Sequence, residues 1–466
     1  MARTKLNDLT KNKEYKSSGK SLNKLFKTGK MITDHAPSSG YVYFVAIILR
    51  YVDLIYFILK PRFTEEMHFV IFEYIEAVLQ YLSLENYIQT DYGLFRYFIF
   101  YIFFIILVFY MAVGLYLFKF KFSKANVAGN TTLKFLSFFS LIILNAFSAS
   151  LYILLLAVIL HQRVYMFGEG KTNGFIYFNL SISVVSLTCL LIIVAFNIWF
   201  VHNDNPFTDF KYKGSSKLVQ TLIELEKIVY AIYFIIDIDK QLTSQFLILV
   251  LVLNVFKIYL KIYTMPFVNS GIRHIENFIE AFYVFIVISL NYYVFFIKNG
   301  QNEVFFYTLI IGSFVFQYVY IILLDYFQFR NLSKINEDMI SKKDAARQLY
   351  RLGMFLENYD AKSNNAKMLN YIVNHNSKCK STDCKCHLII EVDEKSKDIR
   401  PLLVEFIEFK AIQYHNLYPK SIDILIYLIS ICIYETKKVF KAIKYYNDSK
   451  LSKKNIIASY ELYKLR

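Results

Sequence analysis

A histidine and three cysteines fall close together in the C-terminal part of the chain: His375, Cys379, Cys384 and Cys386, spaced H-x3-C-x4-C-x-C. Zinc takes four nitrogen or sulfur ligands tetrahedrally. Three thiolates with one imidazole leave no position for water, which describes a structural rather than a catalytic site. In a reducing compartment a metal is favoured here over a disulfide. C-x-C is a tight bite and His387 stands beside it as a competing ligand, so a metal-free motif remains the alternative to zinc. The other two cysteines, Cys189 and Cys432, lie in apolar surroundings and read as packing residues.

The second set of chemistry-bearing residues lies inside apolar stretches. Lys257 and Lys261 are one helical turn apart near the end of one stretch, and Glu276 and Glu280 are one turn apart at the start of the next. Snorkelling, or pairing between these neighbours, accounts for them without transport, and a cation pathway is the alternative. Arg50 and Asp53 interrupt the first stretch, while Glu73, Glu76 and Gln80 share one face of the second. Asn145, Asn291 and Gln317 are single amides of the kind that hydrogen-bond neighbouring helices. Asp237 and Asp239 fall in a hairpin between stretches.

Catalytic signatures are missing. There is no G-x-x-x-x-G-K-[ST] loop, no G-x-S-x-G elbow, no H-E-x-x-H and no EF-hand loop. His68, His161, His202 and His274 lie at span edges without a nucleophile or acid partner in the sequence. No carbonyl filter, paired Gly/Pro-broken helices or arginine ladder marks a channel or carrier. The expectation is a protein that is not an enzyme.

The elements that hold these residues follow from composition. Of 466 residues, 56% are apolar and only 19% charged, and the apolar ones lie in long runs that no soluble fold needs. Nine stretches approach a bilayer crossing: 41–59, 67–84, 95–118, 133–160, 175–201, 222–239, 243–263, 278–297 and 304–327. Connections carrying Lys119, Lys121 and Lys124, and Lys211, Lys213 and Lys217, read as cytosolic. The connections at 85–94 and 298–303 read as external. The first 40 residues hold nine Lys/Arg against three acids and should also be cytosolic, so the crossings number eight. Either 41–59 or 67–84 then fails to span.

The chain thus divides into a basic cytosolic arm (1–40), a transmembrane domain of about eight helices (41–327) and a cytosolic helical domain (328–466). Both termini are cytosolic in this reading, with the plasma membrane as default. No signal peptide is visible, and Ala2 excludes myristoylation. Within the arm, Leu22, Leu25 and Phe26 face one way and Lys20, Lys24 and Lys27 another, as in a surface-lying helix or a disordered basic segment. The net charge of +16 is concentrated in the two tails, which points to anionic lipid headgroups rather than nucleic acid.

After residue 327 apolar positions recur every three or four residues over 343–359, 365–375, 398–416, 421–434, 436–447 and 453–465, predicting short paired helices. Such pairs suggest an α-solenoid of tetratricopeptide type. The stretch NHNSKCKSTDCKC, with the downstream phrase Tyr418-Pro419-Lys420-Ser421 opening a helix, resembles the TmcB/TmcC-like (tiny macrocysts) family of large protist membrane proteins. The resemblance covers the tail closely and the membrane part in layout only. It implies a multi-span region, the Cys/His element, tetratricopeptide-like repeats and a sensory or scaffolding role, with no catalytic residues. Family members continue into PAS-like sensory domains, so output here is expected to be absent or delegated to a partner.

The fold expected is therefore all-α: a polytopic transmembrane bundle followed by a cytosolic TPR-like solenoid. The function expected is a sensory, signalling or scaffolding membrane protein whose zinc-stabilised tail binds a cytosolic protein. The alternative is an ion channel or transporter, mechanosensitive types included, with Glu73, Glu76, Lys257 and Glu280 along its path and the tail as regulator.

Overall fold

The computed structural model describes residues 13–37, 40–59, 93–119, 127–167, 174–202, 205–207, 216–236, 243–264, 270–292, 295, 303–333, 340–357, 362–393, 399–449 and 456–465. The stretch 67–84, with Glu73, Glu76 and Gln80, lies outside them, as do His68, Asp237 and Asp239. Every described regular element is a helix. In hydrocarbon an apolar run must satisfy its own backbone groups, and a helix does so internally.

The amino-terminal helix α1 (Lys13–Asp34) precedes α2 (Gly40–Leu59) and α3 (Gly93–Lys119). Helix α4 (Val127–Phe138) passes through a π turn, Phe139–Ile143, into α5 (Leu144–Phe167). Helix α6 (Gly174–Phe196) ends in a second π turn, Asn197–Val201. Then come α7 (Lys217–Ile236), α8 (Thr243–Thr264), α9 (Ser270–Tyr292) and α10 (Glu303–Ser333).

Among the described residues, five helical segments are long and apolar enough to cross a bilayer: Arg96–Tyr116, Thr131–Leu160, Gly174–Val201, Ser244–Ile262 and Arg273–Tyr292. Ile311–Leu324 in α10 is a shorter apolar piece. The sequence suggested eight crossings; the difference lies in α2, α7 and α10, which carry charges or extend past the described side chains. Helix α5 is central, touching α2, α3, α6 and α7, while α9 touches α2, α8 and α10. Outward, large apolar side chains such as Phe98, Ile105, Leu115, Phe178, Val185, Phe314 and Tyr318 are exposed, which is sensible only against lipid.

The tail comprises α11 (Lys342–Glu357), α12 (Lys362–Asn376), α13 (Cys386–Asp393), α14 (Arg400–Leu417), α15 (Ile422–Ser430, continued by a π turn at Ile431–Glu435), α16 (Val439–Ser449) and α17 (Ile456–Lys464). Its own core holds Leu349, Leu352, Ile372, Phe406, Ile407, Ile424 and Leu428. Helix α14 packs on α15 and α15 on α16, as successive repeat helices do. Helices α11 and α17 also touch α15, so the tail closes around α15 instead of extending in one direction.

Tail and bundle meet at one end of the molecule. The apolar face expected of the amino-terminal arm is used here, with Phe26 buried against Phe200, Tyr460 and Tyr463. Lys30 Nζ donates to the Lys464 carbonyl at 3.0 Å, and Lys217 Nζ bridges Glu461 at 2.8 Å. Just past α6, Asn205 donates to Ser430 Oγ at 2.9 Å, and Phe207 enters the tail core. Gly353 and Gly29 permit these approaches. A Cβ at Gly353 would stand 2.6 Å from the Phe207 ring, and one at Gly29 would stand 2.7 Å from the Tyr460 hydroxyl.

Two outcomes are expected at this joint. Gly353→Ala should cost about 1–3 kcal/mol by overpacking, read as earlier thermal unfolding and faster proteolysis of the detergent-solubilised chain. Burial opposes the Glu461 charge, but Lys464 and Lys217 outweigh it and hold the carboxyl down to about 2. A depressed carboxyl adds stability above its ordinary value of 4.5 and loses it as pH falls through 2. Acidification across that window should loosen the tail, and Glu461→Gln should flatten the dependence.

Candidate metal centre and intramembrane charge network

The Cys/His motif folds into one cluster. His375 sits in the last turn of α12, and the backbone then tightens through Lys378 N–H to His375 O and Cys379 N–H to Asn376 O. After the Ser381–Cys384 turn, Cys386 opens α13. One ligand atom each from His375, Cys379, Cys384 and Cys386 lies within 4.8 Å of every other. Cys384 Sγ is 3.4 Å from His375 Nε2, and no disulfide joins the thiols. Zinc–sulfur bonds of about 2.3 Å place tetrahedral ligands slightly under 4 Å apart, so a small inward movement would seat an ion. Cys384 and Cys386 are buried in the tail core, and His375 meets the Phe406 ring edge-on at 5.3 Å. His387, the competing ligand, points to solvent and is not part of the cluster.

Burial pushes the Cys384 thiol up to about 12 and raises Cys386 as well. Metal-free, both thiols hold their protons at neutral pH, and a metal must displace them. Of the remaining cysteines, Cys432 is buried in the tail core, its thiol pushed up to about 11 by burial, whereas Cys189 is only half-buried.

Inside the bundle the charges pair. Lys261 Nζ lies 2.5 Å from Glu280 Oε2 and 3.4 Å from Glu276 Oε1. Lys257 Nζ bridges α8 to α7 and α9 through Glu226 Oε2 at 3.0 Å and Glu280 Oε1 at 3.5 Å. Arg50, from α2, reaches Glu276 Oε1 at 2.8 Å and Asn145 Oδ1 at 3.3 Å. Glu226 further accepts from Asn254 at 2.7 Å and from the Tyr283 hydroxyl at 2.6 Å. Tyr320 of α10 donates to Glu280 at 3.3 Å.

A second knot faces α5. Lys227 Nζ meets Glu224 Oε1 at 2.7 Å, Ser148 Oγ at 2.7 Å and the Asn145 carbonyl at 3.0 Å. Asp53 accepts from Ser150 at 2.5 Å. Glu224 and Glu226, two residues apart, point to opposite sides of α7 and so tie it to α5 on one side and to α8 and α9 on the other. Six helices are joined in this way.

The network occupies only part of the bundle. It uses the first turns of α7, the last turns of α8 and the first turns of α9, all at the end that meets the tail. Beyond it the described core around α7, α8 and α9 is mostly apolar and holds no paired charge, with Tyr233 stacked on Phe246 at 3.8 Å and Leu247, Val250, Val287 and Leu290 buried. Asn291, one of the single amides, donates across to the Leu247 carbonyl at 3.1 Å. Gln317 is buried.

Sequence reasoning had found Lys257, Lys261, Glu276, Glu280 and Arg50 separately, and the structure unites them. It had passed over Glu224, Glu226 and Lys227 because they stand at the start of an apolar stretch, where charge is ordinary. The signal was present: Glu226 and Tyr230 fall one turn apart on the face that meets Lys257.

By fold the chain is a helical membrane protein whose tail carries a Cys/His cluster that could hold a metal ion. No protein-family model, no curated protein and no solved structure matches it.

Removing one partner of a buried pair should be costly and removing both should not. Glu280→Gln is expected to destabilise the solubilised bundle by about 3–5 kcal/mol, while Lys261→Met with Glu280→Leu recovers most of that loss. At the cluster, Cys384→Ser should abolish stoichiometric metal retention. Loading the metal-free protein should release protons, so its affinity rises with pH.

Proposed function

We propose that this chain is a multi-pass membrane protein of sensory, signalling or scaffolding type, whose zinc-clipped tail binds a cytosolic protein partner. The observation that carries this reading is the closed charge network. Each of its four cations pairs with a carboxylate at one end of the bundle, and such an arrangement fixes helices in place instead of lining a path. The resemblance to the TmcB/TmcC-like family supports the same class, and the Tyr418–Ser421 phrase supports a repeat-type tail.

Zinc is the metal favoured for this donor set, since three thiolates and an imidazole suit its soft tetrahedral preference. With no catalytic constellation in the sequence, the chain is read as a non-enzyme. The basic segments are assigned to the cytosolic side, where anionic headgroups attract them. The plasma membrane is the default location.

A second reading, a channel or transporter with the tail as regulator, draws on one feature. Glu276 Oε2 is a buried carboxylate oxygen without a hydrogen-bond donor, and Glu280 Oε1 has only the longer 3.5 Å ion pair with Lys257. They would be the first groups to meet a cation or proton entering the network.

The purified full chain should carry about one zinc per chain, and chelation should reduce its helix content, because structural zinc contributes directly to folding. Capture of the full chain from its native membrane should yield a stoichiometric protein partner that is released on chelation. A tail that is zinc-free yet fully folded would sink the zinc assignment. A zinc-loaded chain that retains no partner would count against the scaffold.

A further inference from the structure

We propose that the exposed face of α16 lies in the headgroup region of the membrane that holds the bundle, as a contact for anionic lipid. This goes beyond the protein-partner reading but rests on the tail being folded beside a bilayer.

Helix α16 packs on α15 through Ala442 and Ser449, which are buried. Its other side leaves Val439 57%, Phe440 90% and Ile443 52% exposed, a large apolar patch for a segment that faces water. Lysines surround the patch: Lys437, Lys438, Lys441 and Lys444 are all exposed. The ammonium groups of Lys438 and Lys441 pair with buried Glu408 at 2.5 and 3.4 Å while their side chains stay 42% and 51% exposed, so Lys437 and Lys444 are the lysines that add uncompensated positive charge beside the patch. No acid is exposed from Lys437 to Asn447. Phe and Ile framed by lysines form the composition that inserts shallowly between acyl chains while ammonium groups meet phosphates.

Position selects the bilayer over a soluble acidic surface. Asn205, four residues past the end of a crossing segment at Val201, is bonded to Ser430 at the end of α15. The π turn Ile431–Glu435 is only five residues long, and the chain then reverses into α16, so α16 begins a short stretch of chain after the residue that is tied to the end of α6. Lys437 makes that reversal with a φ of 55°, a left-handed conformation that a side chain adopts at some cost. The patch is thereby held at a fixed place near the surface, where no further ordering cost opposes contact.

The test uses the full chain in vesicles. Trp199 is the chain's one tryptophan, so W199F with F440W gives a single indole at the patch. In vesicles containing phosphatidylserine, brominated lipids should quench its fluorescence by half or more. Quenching should fall several-fold in purely zwitterionic vesicles and when K437Q, K441Q and K444Q are added.

Metal content is read on the same samples. A chain that keeps its metal, while aqueous iodide quenches the indole and brominated lipid does not, overturns the lipid contact. It would leave the face to a soluble protein and the scaffold reading intact. Loss of the metal together with absent lipid quenching would count against both.

Discussion

A charge placed in hydrocarbon must meet an opposite charge or lose its ionisation, because the medium offers it almost no solvation. Nine ionisable side chains from four helices are buried at one end of this bundle: Arg50, Asp53, Glu224, Glu226, Lys227, Lys257, Lys261, Glu276 and Glu280. Each constrains its neighbours. Lys261 can be ionised only if α9 presents Glu276 and Glu280 together, and Arg50 brings α2 to the same Glu276. Apolar packing in lipid has little to distinguish one helix arrangement from another, since acyl chains are as apolar as leucine. The ion pairs supply the registry.

That registry extends into the tail through α7. Lys217, at its first residue, is tied to Glu461 of α17, and Glu226 lies nine residues on, about 14 Å along the same helix. A rigid helix of this kind joins the charged end of the bundle to a tail that is also held by α1 and by Asn205–Phe207. The Cys/His cluster joins the end of α12 to the start of α13, with His375 against Phe406. Movement of the tail as a body would therefore strain α7 at the point where its two faces are tied.

Much of this was legible in the sequence. Runs of about twenty apolar residues gave the crossing helices, and the spacing of His375, Cys379, Cys384 and Cys386 pointed to the cluster that the fold brings together. Tail helices were placed within a few residues by their period. What remained hidden was tertiary. The apolar face of Phe26 was visible, but nothing local said that it meets Phe200 and Tyr460 instead of lipid. Helix α13 falls between the expected helices 365–375 and 398–416, where a Cys-rich segment resembles a loop. Glu224, Glu226 and Lys227 looked like a polar helix end, and only the approach of α5 and α8 makes them interior. Helices α2 and α7 likewise hold their place in the bundle with paired charges that hydropathy scores as polar.

The claim that these charges bind helices together, and do not conduct, is tested most directly by ionic current across a bilayer containing the purified full-length protein. The account predicts silence under voltage, tension and calcium, for the native chain and for Glu280→Gln alike. A reproducible current that Glu280→Gln changes would contradict it and make the network a path.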